Sequence, residues 1–149
     1  MGMKVNPDVI IKRFEYLNKV LEELERIKKI SKNEFLNDFS TILGAERALV
    51  LSTNICIDIG AHVLSINKIS TPETYGEIFE DLMKLNIINE EIKENLIKFV
   101  GLRNLLGHLY TKVNNERIYH IIQEDLTVFY SFKNQIITKF KDQLKKNNK

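Results

Sequence analysis

The sequence is poor in the residues that define several large protein classes. Of 149 residues, one is cysteine, none is tryptophan, two are proline and six are glycine. A single cysteine excludes an internal disulfide framework. Cys56 lies between two isoleucines, which predicts a buried, unreactive thiol. The scarcity of proline and glycine, without any low-complexity stretch, predicts one domain over residues 1–149.

Long hydrophobic runs and metal-binding patterns are also missing. No uncharged apolar run reaches the roughly 18 residues that a membrane-spanning helix needs, and no apolar signal segment opens the chain. The only histidines, His62, His108 and His120, lack metal-ligand spacing. Glycine-rich phosphate loops are absent too. Composition therefore predicts a soluble, cytoplasmic protein with neither a metal site nor a bound cofactor, and with no membrane partner.

Charge is nearly balanced, with 22 Lys and Arg against 20 Asp and Glu and a net charge of +2. The excess of positive charge lies in residues 133–149, which hold six lysines and a single acid, Asp142. This basic C-terminal helix end can contact nucleic-acid phosphates. It can equally complement the negative end of a helix dipole and keep the tail soluble. Charge alone favours the second interpretation.

Helical periodicity is what the sequence has in abundance. Apolar residues recur at spacings of three and four along residues 7–30, 39–69, 75–82, 90–106 and 118–144. Start signals precede these segments: Asn6-Pro7, the capping box at Ser31 to Glu34, Thr71 with Pro72 in the first helical position, and Asn89. Asn37 and Asp38 predict a break before the second long helix. The prediction is an all-α antiparallel helix bundle with four main helices and one or two short ones.

The strongest candidate site interrupts an apolar segment with four polar side chains, Arg103, Asn104, His108 and Tyr110. Such groups on the buried side of a helix are costly unless they are paired or functional. On an ideal helix Arg103 and Tyr110 point within about 20° of each other, whereas His108 lies about 140° from Arg103. Bringing Arg103 and His108 together therefore requires a loosened turn at Gly107 or a two-fold dimer.

Spacing alone leaves a structural interpretation open for each of these residues. Arg103 can cap a helix end, His108 can bond a backbone carbonyl, and Tyr110 suits an amphipathic interface. His62 is interpreted as a hydrogen-bonded core histidine and His120 as a surface residue, because neither has a polar neighbourhood like that of His108.

Several short segments resemble, in the same order, the HepT family of HEPN toxins. Residues 103–110 (RNLLGHLY) are similar to the family's Arg-Asn-x3-His-x-Tyr motif. The accompanying segments are 35–38 (FLND), 46–49 (ERAL), 57–62 (IDIGAH) and 71–79 (TPETYGEIF), so that the resemblance covers residues 7–140. Gly107 stands where an aliphatic residue or alanine is more usual, and Leu51 where glutamine is frequent. Neither departure removes a group that the chemistry needs.

The resemblance implies a HEPN fold and a homodimeric, metal-independent endoribonuclease. Such a protein is the toxin of a type VII-like pair whose antitoxin is a minimal nucleotidyltransferase. The RNA substrate carries its own nucleophile, the 2′-OH. His108 would act as acid or base, Arg103 would bind phosphate oxygens, and Asn104 would orient Arg103 or the substrate. The resemblance further implies that the antitoxin adenylylates Tyr110, so that the added AMP blocks RNA.

Two other classes remain open beside the enzyme. One is a catalytically silent HEPN adaptor that binds a nucleotide or the nucleotidyltransferase partner. The other is a plain helical-bundle interaction protein. The presence of both Arg103 and His108 favours the enzyme over either alternative.

Overall fold

The computed structural model describes residues 2–108 and 113–146, and in this part of the chain the regular structure is entirely helical. The helices are α1 (Pro7–Lys28), α2 (Lys32–Leu36), α3 (Phe39–Ile66), α4 (Tyr75–Lys84), α5 (Glu90–Leu106), α6 (Asn115–Glu124), α7 (Thr127–Lys139) and α8 (Lys141–Lys146). Central α3 packs most extensively against α1 and also contacts α4 and α5. The prediction of an all-α helix bundle is confirmed.

Most helix starts lie where side-chain capping predicts them. Asn6, Ser31 and Asn89 each accept a hydrogen bond from a backbone N–H in the first turn of α1, α2 and α5. Asp38 does the same for α3, with Thr41 as the donor. The predicted break between the short α2 and the long α3 is therefore present.

Two predicted boundaries are wrong. α4 begins after Thr74, whose hydroxyl accepts a hydrogen bond from the N–H of Glu77 at 3.3 Å, and not after Thr71. The single last helix expected over residues 118–144 is instead α6, α7 and α8. Both interruptions occur next to buried residues, Leu126 and Phe140. Since the apolar stripe runs on through each break, periodicity could not reveal them.

The apolar helix α3 forms the centre of the core. By length and composition it could cross a membrane, but 56% of its most apolar stretch is buried inside the protein. Its buried hydroxyls, on Ser52 and Thr53, donate to the carbonyls of Ala48 and Leu49, each at 2.9 Å. Cys56 is fully buried, as predicted, and burial raises the pKa of its thiol. α3 is thus the core helix of a soluble protein.

The two histidines outside the candidate site differ in exposure. His62, on α3, is half-buried rather than part of the core, and its Nε2 accepts a hydrogen bond from the backbone N–H of Asn6 at 3.0 Å. Burial lowers the pKa of His62, and the positive charge of Arg13 lowers it further. The imidazole therefore favours the neutral form that accepts this bond. His120 is exposed, as predicted.

A close approach at Gly60 sets the position of α4 against α3. A Cβ at this position would lie 2.5 Å from Cγ2 of Ile78 and 3.2 Å from Cδ1 of Leu82. Only glycine leaves room for α4 at this distance. The contact matters for the site because α4 begins with Tyr75, whose ring reaches Arg103 on α5.

Candidate functional site

The backbone leaves the helical path just before His108. α5 ends at Leu106, and the N–H of Gly107 donates to the carbonyl of Arg103 at 3.0 Å. His108 is exposed outside the helix, so the ideal-helix angle between it and Arg103 does not apply. Gly107 has a φ of −78°. An added Cβ would meet its nearest neighbour, the Arg103 carbonyl oxygen, at 3.5 Å. The backbone therefore does not require glycine at this position.

Three neighbours hold the guanidinium of Arg103. Its Nε donates to Oδ1 of Asn54 on α3 at 2.5 Å, and its Nη1 donates to Oδ1 of Asn104 at 3.1 Å. Its Cζ lies 4.9 Å from the centroid of the Tyr75 ring, within range for a cation–π interaction. Nη2 has no hydrogen-bond partner among the described residues, which leaves this edge of the fork for an anion.

Arg103 and His108 line the same open groove, of about 670 Å³, between α3 and the end of α5. Its remaining walls are formed by Leu43, Glu46, Arg47, Val50, Asn54, Asn104, Leu106 and Gly107. Arg103 and Asn104 are not on the core-facing side of α5, and His108 lies beyond the end of this helix. Arg103 is half-buried, while Asn104 and His108 are exposed, because the core-facing stripe of α5 consists of Ile92, Leu96, Phe99, Val100 and Leu102.

Four residues of the site were not assigned a role from the sequence: Glu46, Arg47, Asn54 and Tyr75. Arg47 brings a second cation to the groove, and partial burial raises the pKa of the Glu46 carboxyl. One signal for the α3 residues was available. Arg47, Asn54 and Asp58 are spaced by seven and four residues, which places polar groups on one face of an otherwise apolar helix.

Tyr110 lies outside the described residues. The projection that placed it on the face of Arg103 assumed a continuous helix, whereas α5 ends at Leu106. Within residues 2–108 and 113–146, no group of three or more His, Cys, Asp or Glu side chains is arranged to hold a metal ion.

Fold and site together define a class of protein. A helix bundle here presents a fixed guanidinium and an exposed imidazole in one groove, which are the groups needed for acid–base cleavage of a phosphodiester. Residues 17–136 match the family model described as Ribonuclease HepT-like. The chain belongs to this family of HepT-like ribonucleases.

Individual relatives agree with the family assignment. The chain is 31% identical to the tRNA nuclease HepT of Aphanizomenon flos-aquae over 132 residues, which cover 89% of this chain and 90% of the relative. It is 28% identical to the mRNA nuclease HepT of Shewanella oneidensis over 129 residues, covering 84% and 93%. The prediction of a ribonuclease is confirmed, and the silent adaptor is not favoured.

Solved structures of similar proteins extend the agreement to the fold. A tri-AMPylated HEPN toxin of Shewanella oneidensis, in complex with MNT antitoxin, matches with a TM-score of 0.82 at 26% identity, over 88% of this chain and 98% of that one. The cytosolic protein YutE of Bacillus subtilis, whose function is unknown, matches with a TM-score of 0.79 at 18% identity, over 95% of each chain. The HEPN toxin class predicted from the sequence is confirmed.

Proposed function

We propose that this protein is the toxin of a type VII-like toxin–antitoxin pair and acts in the cytoplasm as a metal-independent endoribonuclease. The observation that carries the proposal is the guanidinium of Arg103, which Asn54, Asn104 and Tyr75 hold in the same groove as the exposed His108. The names of the two HepT relatives, a tRNA nuclease and an mRNA nuclease, support RNA as the substrate.

The proposed reaction is an internal transesterification. The 2′-oxygen of RNA attacks the adjacent phosphorus while an imidazole takes the 2′-OH proton. The bond from phosphorus to the 5′-oxygen breaks, and an imidazolium gives that oxygen a proton. The products are a 2′,3′-cyclic phosphate and a 5′-hydroxyl. The Nη2 edge of Arg103, which has no hydrogen-bond partner in residues 2–108 and 113–146, stabilises the negative charge that develops on the phosphoryl oxygens.

A chelator experiment tests this function. Purified protein is incubated with total RNA and EDTA, beside a double variant, Arg103→Ala with His108→Ala. We expect the wild-type protein to cleave RNA at an unchanged rate in EDTA and to leave 2′,3′-cyclic phosphate ends. The double variant should be inactive. A strict requirement for Mg²⁺, or product ends carrying a 5′-phosphate, would contradict the proposed mechanism.

A homodimer is part of the proposal, because it would supply two copies of His108, one as acid and one as base. An apolar surface borders the groove on α3 and α5: Phe39 is 73% exposed, Leu43 49% and Leu105 37%. Large exposed apolar groups that lie close together typically mark an interaction surface. A two-fold interface here would place Arg103 and His108 of both protomers in one cleft.

Phe39→Glu should break this dimer. Burying an unpaired carboxylate in an apolar interface is strongly unfavourable, so we expect the dissociation constant to rise by at least about 100-fold. Light scattering coupled to gel filtration at micromolar concentration measures the change, and cleavage should fall with the dimer population. The control is Tyr16→Glu, which alters a residue 47% exposed on α1. A wild-type monomer would overturn the shared cleft.

We propose further that a cognate minimal nucleotidyltransferase silences the enzyme by adenylylating Tyr110. The AMPylated toxin seen in complex with its antitoxin supports this form of control. An added phosphate ester would compete with RNA for Arg103, because bonds from a guanidinium to phosphate are strong.

Co-expression with a cognate minimal nucleotidyltransferase tests this control. Intact-mass measurement should detect AMP on the wild-type protein, peptide mapping should place it on Tyr110, and cleavage of RNA should be lost. Tyr110→Phe should stay unmodified and active. An adduct that leaves cleavage unchanged, or no adduct at all, would argue instead for inhibition by simple binding of the partner.

A further inference from the structure

A second cavity opens on the other side of the Arg103 guanidinium. Its volume is about 730 Å³, and it lies between α3, the segment of residues 71–76 and the end of α5. Arg103, Asn104 and Asn54 line both this cavity and the groove that holds His108. The two spaces therefore adjoin each other at these three side chains. We call this second space the base cavity.

Apolar and aromatic groups form much of the lining of the base cavity. Ile57, Ile78 and Val100 contribute apolar side chains. The ring of Tyr75 is held against Arg103, yet this residue remains 45% exposed, so ring surface is available to a ligand. Aromatic rings and guanidinium planes are the surfaces on which unpaired RNA bases stack.

Besides Arg103, the two charged side chains that line the base cavity are negative. Asp58, on α3, and Glu73, before α4, both line it. Asp58 lies 3.9 Å from Arg13, which neutralises it in part. The backbone N–H of Glu73 donates to the carboxylate of Glu77 at 3.0 Å, which fixes the position of Glu73 in the loop. Carboxylates repel a phosphate group, so they favour a base here rather than the RNA backbone.

We propose that the base cavity binds the nucleobase of a nucleotide that flanks the cleaved phosphodiester. The scissile phosphate sits on the Nη2 side of Arg103, and the neighbouring base stacks at Tyr75. Since carboxylates accept hydrogen bonds, the cavity favours bases with an exocyclic amino group, which are adenine, cytosine and guanine, over uracil. Uracil, which presents carbonyl oxygens instead, is disfavoured. This inference rests on the proposed ribonuclease function and adds a preference for particular RNA bases beside the cut.

The test compares sequence preference with rate. Single-stranded RNA of random sequence is cut by the wild type and by Tyr75→Ala, Tyr75→Phe and Glu73→Gln, and the product ends are sequenced. The wild type should show adenine, cytosine or guanine enriched over uracil at one position flanking the cut. Tyr75→Ala should lose the enrichment and roughly 5- to 150-fold in kcat/KM, the range for removing one base–aromatic stack. Tyr75→Phe keeps the ring and should retain the preference.

Glu73→Gln separates hydrogen bonding from stacking. The amide that replaces the carboxylate can donate to a carbonyl oxygen as well as accept, so the discrimination against uracil should fall. Tyr16→Ala is the matched control for losing an exposed tyrosine, since Tyr16 is 47% exposed on α1. It should cut at the same positions as the wild type. An enrichment that Tyr75→Ala leaves unchanged would mean a merely structural tyrosine and would overturn the base cavity.

A binding measurement makes the inference independent of catalysis. Labelled 2′-O-methyl oligonucleotides lack the nucleophile, and anisotropy reports their affinity. Oligoadenylate and oligocytidylate should bind the wild type more tightly than oligouridylate does, and Tyr75→Ala should remove the difference. RNA cleavage by the wild type without positional preference, and equal binding of all three polymers, would overturn the base cavity and leave the ribonuclease standing. Base-selective binding without any cleavage would overturn the ribonuclease alone.

Discussion

His108→Ala is expected to lower kcat/KM for RNA cleavage by about 10²–10⁴-fold, the contribution typical of a general acid–base group. The variant removes the only imidazole among the groove-lining residues and leaves the guanidinium of Arg103 in place. Because His108 is exposed and lies beyond the end of α5, the fold should tolerate the change. The rate is measured on a defined oligoribonucleotide at saturating and limiting substrate.

The matched control is His120→Ala, which removes an exposed histidine from α6. Its cleavage rate and melting temperature should equal those of the wild type. If His108→Ala cleaved RNA at the wild-type rate, the proton transfers would have to involve other groups. Glu46, whose pKa burial raises and which lines the same groove, would then be the next residue to change.

Arg103→Lys should cost about 10²–10³-fold in kcat, although it preserves the charge. A loss of this size is typical when one donor to a developing oxyanion is removed. Lysine lacks the planar fork that bonds Asn54 with one edge and offers another edge to a phosphate. It also lacks the flat surface that lies 4.9 Å from the centroid of the Tyr75 ring. A point charge on a flexible stem would therefore not be held in place.

Arg117→Lys is the control for this second experiment, because Arg117 is an exposed arginine on α6. Steady-state kinetics should show no effect there. If Arg103→Lys retained full activity, a positive charge alone would be sufficient, and the contacts with Asn54 and Tyr75 would have no catalytic significance. An equal loss in Asn54→Leu, with Arg103 intact, would confirm that the asparagine acts by positioning the guanidinium.

The sequence was sufficient for the features that depend on local pattern. Caps such as Ser31 and Asn89 are set within one helical turn, so their hydrogen bonds could be predicted from neighbouring residues. The burial of α1 and α3 follows from apolar spacing that the chain repeats over many turns. The catalytic candidates were accessible through the likeness of residues 103–110 to a known motif.

The remaining parts of the site depend on packing between distant segments. Asn54 bonds to Arg103 across 49 residues, and no local rule selects it from the other polar residues of α3. Tyr75 meets Arg103 because α4 packs against both α3 and α5. The end of α5 at Leu106, by contrast, agrees with the helical segment 90–106 expected from the sequence.

The close contact at Gly60 has a consequence for the interpretation of mutational screens. An alanine there would put a methyl group within 2.5 Å of Ile78 and push α4 outward. The displacement would be transmitted along a rigid helix to its first residue, Tyr75, and would withdraw the ring from the guanidinium it supports. A variant inactivated by this buried substitution would thus resemble a variant that lacks a catalytic group. Variants that survive a toxicity selection should accordingly include substitutions at position 60, even though this glycine is buried and has no side chain to offer to RNA.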